Sequence, residues 1–406
     1  MKPYGLLGEK LGHSFSPLIH SRFGSYEYRL FPTPKEELES FLKSGRFDNL
    51  NVTMPYKKAV IPYCKELSPL AKRIGSVNTI KVKDGELYGY NTDYYGFRYM
   101  LEEGKISVVG EKCAVIGNGG VAPTVCAVLE DLGASHITVV PRTLNTPGFI
   151  ETISDHTVVV NTSPVGMFPG NGKSPVDLRQ FKNLKGVADL IYNPLKTAFM
   201  QQAEELGAPC AGGLPMLVAQ AKRAAEIFED QVIDDGAIRP VIKEIRGICE
   251  TICLIGMPGS GKSTLGRLLA EALGKTFIDT DVRIEELAGK TIPEIFAEEG
   301  EDVFRALETK ALAEATATGG AVVATGGGVV KRPENHSLLK QNGRVILVER
   351  SLEELATGGR PLSSSGEALE KLYKERQPLY VAMADVTVEN CKSPAEMVSE
   401  ILKSLS

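Results

Sequence analysis

The chain has 406 residues, 43% apolar and 24% charged, with a formal net charge of −5. That length exceeds one ordinary core, so two or three domains are expected. Residues 1–247 hold 28 Lys/Arg against 27 Asp/Glu, and residues 248–406 hold 18 against 24, so neither half has the basic footprint of a nucleic-acid binder.

The seven cysteines form no CxxC pair and the five histidines no HExxH. This argues against structural zinc and a disulfide framework and fits a reducing cytoplasm. The start, Met1-Lys2-Pro3-Tyr4-Gly5, lacks a signal-peptide core, and no apolar run reaches the length of a membrane span. A cytoplasmic chain without a membrane or nucleic-acid partner is expected. Nothing in the sequence sets the oligomeric state.

In chain order, Tyr4–Gly8 reads as a strand and Pro17–Phe23 as a helix with Ser16 as its N-cap. Asn49–Thr53 reads as a strand ending at Pro55, and 76–82 pairs with 86–90 across Lys83-Asp84-Gly85. A second unit opens at 101. A strand at 113–116, a glycine loop, a helix Pro123–Leu132 and a strand at 137–140 make a βαβ start. Strands follow at 158–160 and 186–190, and a helix over 217–228 is placed to pack back on the first unit. Residues 236–249 read as a partly helical connector. From 250 to 406 a third unit carries strands at 252–255, 275–278, 321–324 and 344–348. The fold class is therefore α/β. The expected domains are an N-terminal substrate domain (1–100), a Rossmann-like dinucleotide domain (101–235), a linker (236–249) and a P-loop domain with a parallel sheet (250–406).

Two glycine loops differ in kind. Gly256-Met257-Pro258-Gly259-Ser260-Gly261-Lys262-Ser263 follows the strand Ile252-Cys253-Leu254-Ile255 and matches GxxxxGK[ST]. Its backbone N–H groups suit phosphate oxygens, Lys262 the β/γ-phosphates and the Ser263 hydroxyl Mg²⁺. Asp279 and Asp281 stand two apart at a strand end. Arg305 sits one turn before Glu308, Gly326-Gly327-Gly328 follows a strand, Arg360 lies in a Gly/Ser-rich stretch and Arg376 near a helix end. Singly, each has a bland alternative: Arg305 and Glu308 as a surface helix pair, Asp279 as a cap, Arg376 as a solvated helix end.

As an ordered set over 250–406, these residues resemble shikimate kinase. The resemblance implies ATP-dependent phosphorylation of the shikimate 3-hydroxyl. Asp281, Arg305 and Arg376 would hold the substrate, with Gly326, Gly327 and Gly328 beside it. Two arginines suit a carboxylate, and Asp281 suits a hydroxyl as acceptor and base. Gly259, Ser260, Gly261, Lys262, Ser263, Thr264 and Arg360 would serve ATP. Lys262 and Arg360 would offset charge on the transferring group, while Ser263 and Asp279 would serve Mg²⁺.

The first half offers Ser14 and Ser16 before a helix, Thr53 and Lys57 after a strand, and Asn78 and Asp93 at strand ends. Caps, turns and solvated charges explain each singly. Together, over about 4–235, they resemble shikimate dehydrogenase, which implies reduction of 3-dehydroshikimate by a nicotinamide cofactor. Lys57 matches the proton donor, and Asp93 the group that keeps it charged and aimed. Ser14 and Ser16 match the carboxylate site, and Thr53, Asn78 and Gln220 match positions that bind hydroxyls or carboxylate. Tyr192 matches a position near the substrate. The cofactor loop, Gly117, Gly119, Gly120 and Ala122, fits GxGxxG/A between a strand and a helix, and Gly213 lies near the C-terminal helix. Arg142 and Thr143 end the next strand without an acid, which favours a 2′-phosphate and so NADP(H).

The chain departs from the pattern at Pro141, which stands in an Asn place, and at Leu144-Asn145-Thr146, where a second base is usual. Gly212 replaces an acid, and only 18 residues separate Arg142 from Asn161. The resemblances together imply a bifunctional enzyme with 3-dehydroshikimate and shikimate as small-molecule partners. The alternative is an active kinase fused to a shikimate-binding, weakly active or inactive dehydrogenase-like module.

Overall fold

A computed structural model describes residues 2–12, 14–144, 146–355 and 366–405. Arg360 lies outside them, as does the side chain of Arg142. The chain forms two compact units. The first is 1–166, 173–192 and 199–246, and the second is 167–172, 193–198 and 247–406.

The first unit holds two sheets. One contains β1 (Tyr4–Gly8), β2 (Tyr28–Pro32), β3 (Leu50–Val52), β4 (Glu66–Leu67), β5 (Thr79–Lys83) and β6 (Glu86–Tyr90) in the order β2-β1-β3-β5-β6-β4. β1 runs parallel to β2 and β3, while β5 is antiparallel to β3 and β6. Asp84 and Gly85 turn the β5–β6 hairpin with φ of 53° and 78°, the left-handed pair a tight hairpin requires.

The second sheet contains β7 (Lys112–Ile116), β8 (His136–Val140), β9 (Val158–Asn161), β10 (Gly186–Asp189) and β11 (Cys210–Gly212), ordered β11-β10-β9-β7-β8. Every pair is parallel. In β7, Cys113 and Val115 pack into one core while Ala114 and Ile116 pack into another. Cover on both faces explains an unbroken apolar run in place of alternation. The chain order reverses between β7 and β9, and the glycine loop after β7 lies at that switch point. Beyond β8 the sheet ends. A 3-10 turn (Arg142–Leu144) and a six-residue helix (Pro147–Thr152) lead to β9, the abbreviated connection that the short spacing from Arg142 to Asn161 dictates.

Helix Asp93–Glu103 leads out of the first sheet, and helix Leu214–Glu229 returns to it. They cross closely at Gly96, where a Cβ would lie 2.7 Å from the Met216 carbonyl. The returning helix also reaches β1, with the Tyr4 hydroxyl donating to Glu229 at 2.8 Å. Residues 238–249 form one helix, Ile238–Cys249, with Ile238, Val241, Ile242 and Ile245 buried. Arg239 pairs with Glu103, and Glu244 with Arg22.

Two local expectations are corrected. Ser16 is the first residue of the helix Ser16–Phe23 and makes no capping bond. Phe15 is the N-cap residue and no side chain caps the helix. The Ser16 N–H donates to Ser14 Oγ at 3.2 Å, and the Ser16 hydroxyl accepts from Ser14. Residues 376–380 do not end a helix either. Helix Gly366–Met383 continues through Pro378, with Tyr380 fully buried. Anchoring of that side chain offsets the hydrogen bond a mid-helix proline removes.

The second unit holds an all-parallel sheet of β12 (Thr251–Ile255), β13 (Thr276–Asp279), β14 (Ala321–Ala324), β15 (Gly343–Glu349) and β16 (Val386–Glu389). Its order is β13-β14-β12-β15-β16. Cys253 and Ile255 pack on one face of β12, and Ile252 and Leu254 on the other. The loops after β12, β13 and β14 therefore share one edge, the carboxyl end where α/β sites form. No helix among the described residues is long and apolar enough to cross a membrane.

Candidate active sites

In the first unit the site grows from the ends of β3, β5 and β6. The Lys57 ammonium donates to Asp93 Oδ2 at 2.6 Å, with side-chain exposures of 16% and 7%. Asp93 opens the helix Asp93–Glu103, where a carboxylate is favoured by the helix dipole. Beside this pair, Asn78 Nδ2 donates to Thr92 Oγ1 at 3.0 Å and to Gln220 Oε1 at 3.4 Å. Asn78 Oδ1 accepts the Thr92 N–H at 2.7 Å. Thr79 Oγ1 joins them and receives Asn51 Nδ2 at 3.2 Å, and Asn51 Oδ1 accepts the Tyr28 hydroxyl at 2.8 Å. The result is one buried lattice of amides and hydroxyls under the Lys57–Asp93 pair, which fixes Asn78 and Gln220 in place.

Ser14 and Ser16 meet at 3.1 Å between hydroxyl oxygens. Phe15, between them, contacts the Tyr192 ring edge-on at 6.4 Å between centroids, so Tyr192 borders the serine pair. Thr53 is seated against Gly8, where a Cβ would meet its methyl at 2.6 Å. Thr92, Thr79, Asn51 and Tyr28 belong to the lattice without having been singled out as site residues. Their signal was only polar side chains at buried strand ends.

At the dinucleotide loop, Gly117 has a φ of +110° and a Cβ there would meet Thr162 Oγ1 at 2.8 Å. Thr162 itself donates to the Gly117 carbonyl at 3.1 Å. A Cβ on Gly119 or Gly120 would meet nothing within 4 Å. Helix Ala122–Asp131 starts at this opening without a side-chain cap. Open glycine backbone at the N-terminus of a helix, the positive end of its dipole, suits a pyrophosphate. Thr143 is exposed in the turn after β8. Gly213 caps the helix Leu214–Glu229, and a Cβ there would lie 2.1 Å from the Leu190 carbonyl. Close backbone packing thus requires that glycine.

In the second unit the loop after β12 carries Gly256, Gly259 and Gly261 at φ of +140°, +84° and +95°. The helix Lys262–Leu273 begins there, also without a side-chain cap. Ser260 Oγ is buried with no hydrogen-bond partner among the described residues. Lys262 Nζ donates to the Gly256 and Met257 carbonyls at 2.9 Å each, so the ammonium is curled into its own loop. Asn390 Nδ2 donates to the Ser260 carbonyl at 2.7 Å, a brace that no local pattern announced. Thr264 is exposed on the first turn. Ser263 Oγ donates to Asp279 Oδ2 at 2.7 Å, and Asp279 Oδ1 caps the Asp281 N–H at 3.1 Å. Asp279 therefore caps a helix and faces Ser263 at once. One hydroxyl and one carboxylate beside a phosphate loop suit Mg²⁺, which takes its other ligands from water and phosphate.

The acceptor side is built around the triple glycine. A Cβ on Gly326 would lie 2.8 Å from both Asp281 Oδ1 and Glu308 Oε1, and one on Gly328 would lie 2.0 Å from Arg305 Nη1. Gly327 accepts from Arg376 Nη1 at 2.8 Å and from the Tyr380 hydroxyl. Only hydrogen side chains leave room for these groups to converge. Arg305 Nη1 donates to Glu308 at 2.7 Å, with side-chain exposures of 7% and 1%. Burial pushes the Glu308 carboxyl above its usual range, against the pull of Arg305 and Arg376. Burial opposes the charge on Arg305, but Glu308 and Glu301 outweigh it. Arg376 is buried, and its Nε and Nη2 find no hydrogen-bond partner among the described residues. A stranded guanidinium edge is costly unless a ligand anion completes it.

Residues 6–80 match the model of the shikimate dehydrogenase substrate binding domain, and residues 258–406 match the model of shikimate kinase. A shikimate dehydrogenase (NADP(+)) of Clostridium perfringens is 37% identical over 268 residues, spanning 61% of this chain and 99% of that protein. The crystal structure of a chorismate mutase/shikimate 5-dehydrogenase fusion protein from Clostridium acetobutylicum is similar at a TM-score of 0.56 and 37% identity. That match covers 60% of this chain and 96% of the other. Shikimate 5-dehydrogenase from Thermus thermophilus, solved with NADP(H) and shikimate, matches at a TM-score of 0.55 and 29% identity, covering 60% and 99%. The chain therefore belongs to the shikimate dehydrogenase family through its N-terminal part and carries a shikimate kinase domain in residues 258–406.

Proposed function

We propose that this chain catalyses two consecutive reactions, reducing 3-dehydroshikimate to shikimate with NADPH and then phosphorylating the shikimate 3-hydroxyl with Mg-ATP. The reduction rests on one observation above all, the shielded Lys57–Asp93 pair at 2.6 Å. NADPH, when bound, supplies the hydride for the carbonyl carbon. Lys57 delivers the proton to the carbonyl oxygen, and Asp93 keeps the ammonium charged and aimed. Ser14 and Ser16 orient the carboxylate, while Thr53, Asn78, Gln220 and Tyr192 position the ring hydroxyls. Gly117, Gly119, Gly120 and Ala122 hold the cofactor pyrophosphate, with Arg142 and Thr143 toward a 2′-phosphate. A module that only binds shikimate has little use for an ammonium held by a carboxylate, which disfavours the alternative of an inactive first half.

The phosphorylation rests on the stranded Arg376 edge beside Arg305. Both guanidiniums bind the carboxylate, and Asp281 accepts the hydroxyl proton. The loop Gly256–Ser263 holds the phosphates, and Lys262, released from its own carbonyls, offsets their charge. Ser263 and Asp279 serve Mg²⁺. The test supplies purified chain with 3-dehydroshikimate, NADPH and Mg-ATP and follows shikimate 3-phosphate. Its appearance together with NADPH oxidation is expected, and its absence overturns the proposal.

A further inference from the structure

The mouth of the acceptor site carries a carboxylate with no part in the chemistry above. Glu301 lies one turn before Arg305 on the helix Gly300–Thr316. Its Oε1 accepts from Arg305 Nε at 3.2 Å and Nη2 at 3.0 Å. Those two donors form the guanidinium edge that takes a carboxylate two-pronged. Glu308 holds Nη1 from the other side. The two acids are not equivalent, because the Glu308 side chain is 1% exposed and that of Glu301 is 42% exposed. Glu308 is fixed scaffold, whereas Glu301 can exchange Arg305 for water at little cost.

A string of charges continues across the mouth. Lys331 Nζ stands 3.7 Å from Glu301 Oε1 and 3.2 Å from Glu375 Oε1, and Glu375 directly precedes Arg376. Burial pushes the Glu301 carboxyl up, but the Arg305 hydrogen bonds and charge, with Lys331 and Arg376 behind them, hold it below its usual range, so it is an anion at neutral pH. Of the two arginines, Arg376 has Nε and Nη2 without a partner among the described residues, while the matching edge of Arg305 is covered by the chain's own carboxylate.

We propose that Glu301 is an internal competitor for the substrate carboxylate. It occupies the Arg305 edge, and an entering ligand carboxylate displaces it toward solvent and Lys331. This rests on Arg305 and Arg376 acting as a carboxylate clamp. The competitor discriminates as well as delays. A neutral polyol offers Arg305 less than Glu301 already does, so an anion displaces it more favourably than a neutral ligand.

The test compares wild type with Glu301→Gln and Glu301→Asp in the full chain, measuring ADP release with Mg-ATP at varied shikimate. KM for shikimate is expected to fall roughly two- to five-fold in Glu301→Gln, the range a half-exposed ion pair can impose. The accompanying change in kcat is smaller. Glu301→Asp, one methylene shorter, lies between. Glu308→Gln moves KM the opposite way, because it unseats Arg305. An unchanged or raised KM in Glu301→Gln overturns the competitor and makes Glu301 a brace or a surface pair. A wild-type chain that releases no ADP on shikimate contradicts the kinase assignment itself, and with it this inference.

Discussion

The ammonium of Lys57 lies 2.6 Å from Asp93 Oδ2, with both side chains shielded from water. Lys57 follows the end of β3, and Asp93 begins a helix after β6. The chain brings them together through the β5–β6 hairpin, whose outer end carries the left-handed Asp84-Gly85 turn. A shared lattice through Asn78, Thr92 and Gln220 keeps the ligand-binding amides in register with the pair.

Removing the ammonium should abolish proton delivery without dismantling the lattice. Lys57→Ala is expected to lower kcat for 3-dehydroshikimate reduction roughly 10²- to 10⁴-fold, the usual share of a positioned acid. Asp93→Asn should also lower kcat, because it leaves the lysine without its anion. Steady-state NADPH oxidation checks both. Retention of near-wild-type turnover in Lys57→Ala would remove Lys57 from the chemistry.

Arg376 tests the carboxylate clamp. Its two open donors are geometric, so Arg376→Lys keeps the charge but loses the fork. KM for shikimate should rise roughly ten- to a hundred-fold in the kinase assay, in line with the loss of charged hydrogen bonds. Rescue by lysine would show that charge alone suffices.

Gly326 tests the crowding at the acceptor site. In Gly326→Ala the methyl would lie 2.8 Å from both Asp281 Oδ1 and Glu308 Oε1. Displacement of these carboxylates should cut kcat/KM for shikimate phosphorylation about 10²-fold, since a small misplacement is enough. Circular dichroism and ATP affinity should stay near wild type.

His20 gives the first unit an acid-sensitive stability. It is fully buried, with Nδ1 2.6 Å from the Tyr26 hydroxyl, and burial lowers its pKa from 6.5 to about 3. The unfolded chain therefore binds a proton that the folded chain refuses between these values. Its contribution is complete above pH 6.5 and is lost as pH falls toward 3, at about 1.4 kcal/mol per pH unit. Urea unfolding at pH 7, 6, 5 and 4 should show that slope, and His20→Gln should reduce it by one proton. An unchanged slope would place the titration elsewhere.

How much was legible differs by residue. The runs at β7 and β12 announced buried parallel strands, because both faces of each are covered. The phosphate loop was legible because its glycines sit where positive φ is needed. Lys57, Asp93, Arg305 and Arg376 stood out as charges in ordered sets. Thr92, Asn51 and Tyr28 did not, since their roles depend on partners brought together by the sheet. Asn390 braces Ser260 from 130 positions away, a separation that no local pattern spans. The N-cap falls on Phe15, with no side-chain cap, because the helix begins one residue earlier than the serine pattern suggests. Pro378 sits inside a helix because burial of Tyr380 overrides a local rule.

The most direct measurement of the central claim uses two single variants of the whole chain. Lys57→Ala, given shikimate and Mg-ATP, should form shikimate 3-phosphate at the wild-type rate while reducing 3-dehydroshikimate roughly 10²- to 10⁴-fold more slowly. Lys262→Ala should reduce 3-dehydroshikimate normally and form no phosphate ester. An equal mixture of the two, given 3-dehydroshikimate, NADPH and Mg-ATP, should restore shikimate 3-phosphate through free shikimate. A mixture that makes none, or a Lys57→Ala chain that reduces 3-dehydroshikimate near the wild-type rate, would contradict two separate reactions joined by shikimate on this polypeptide.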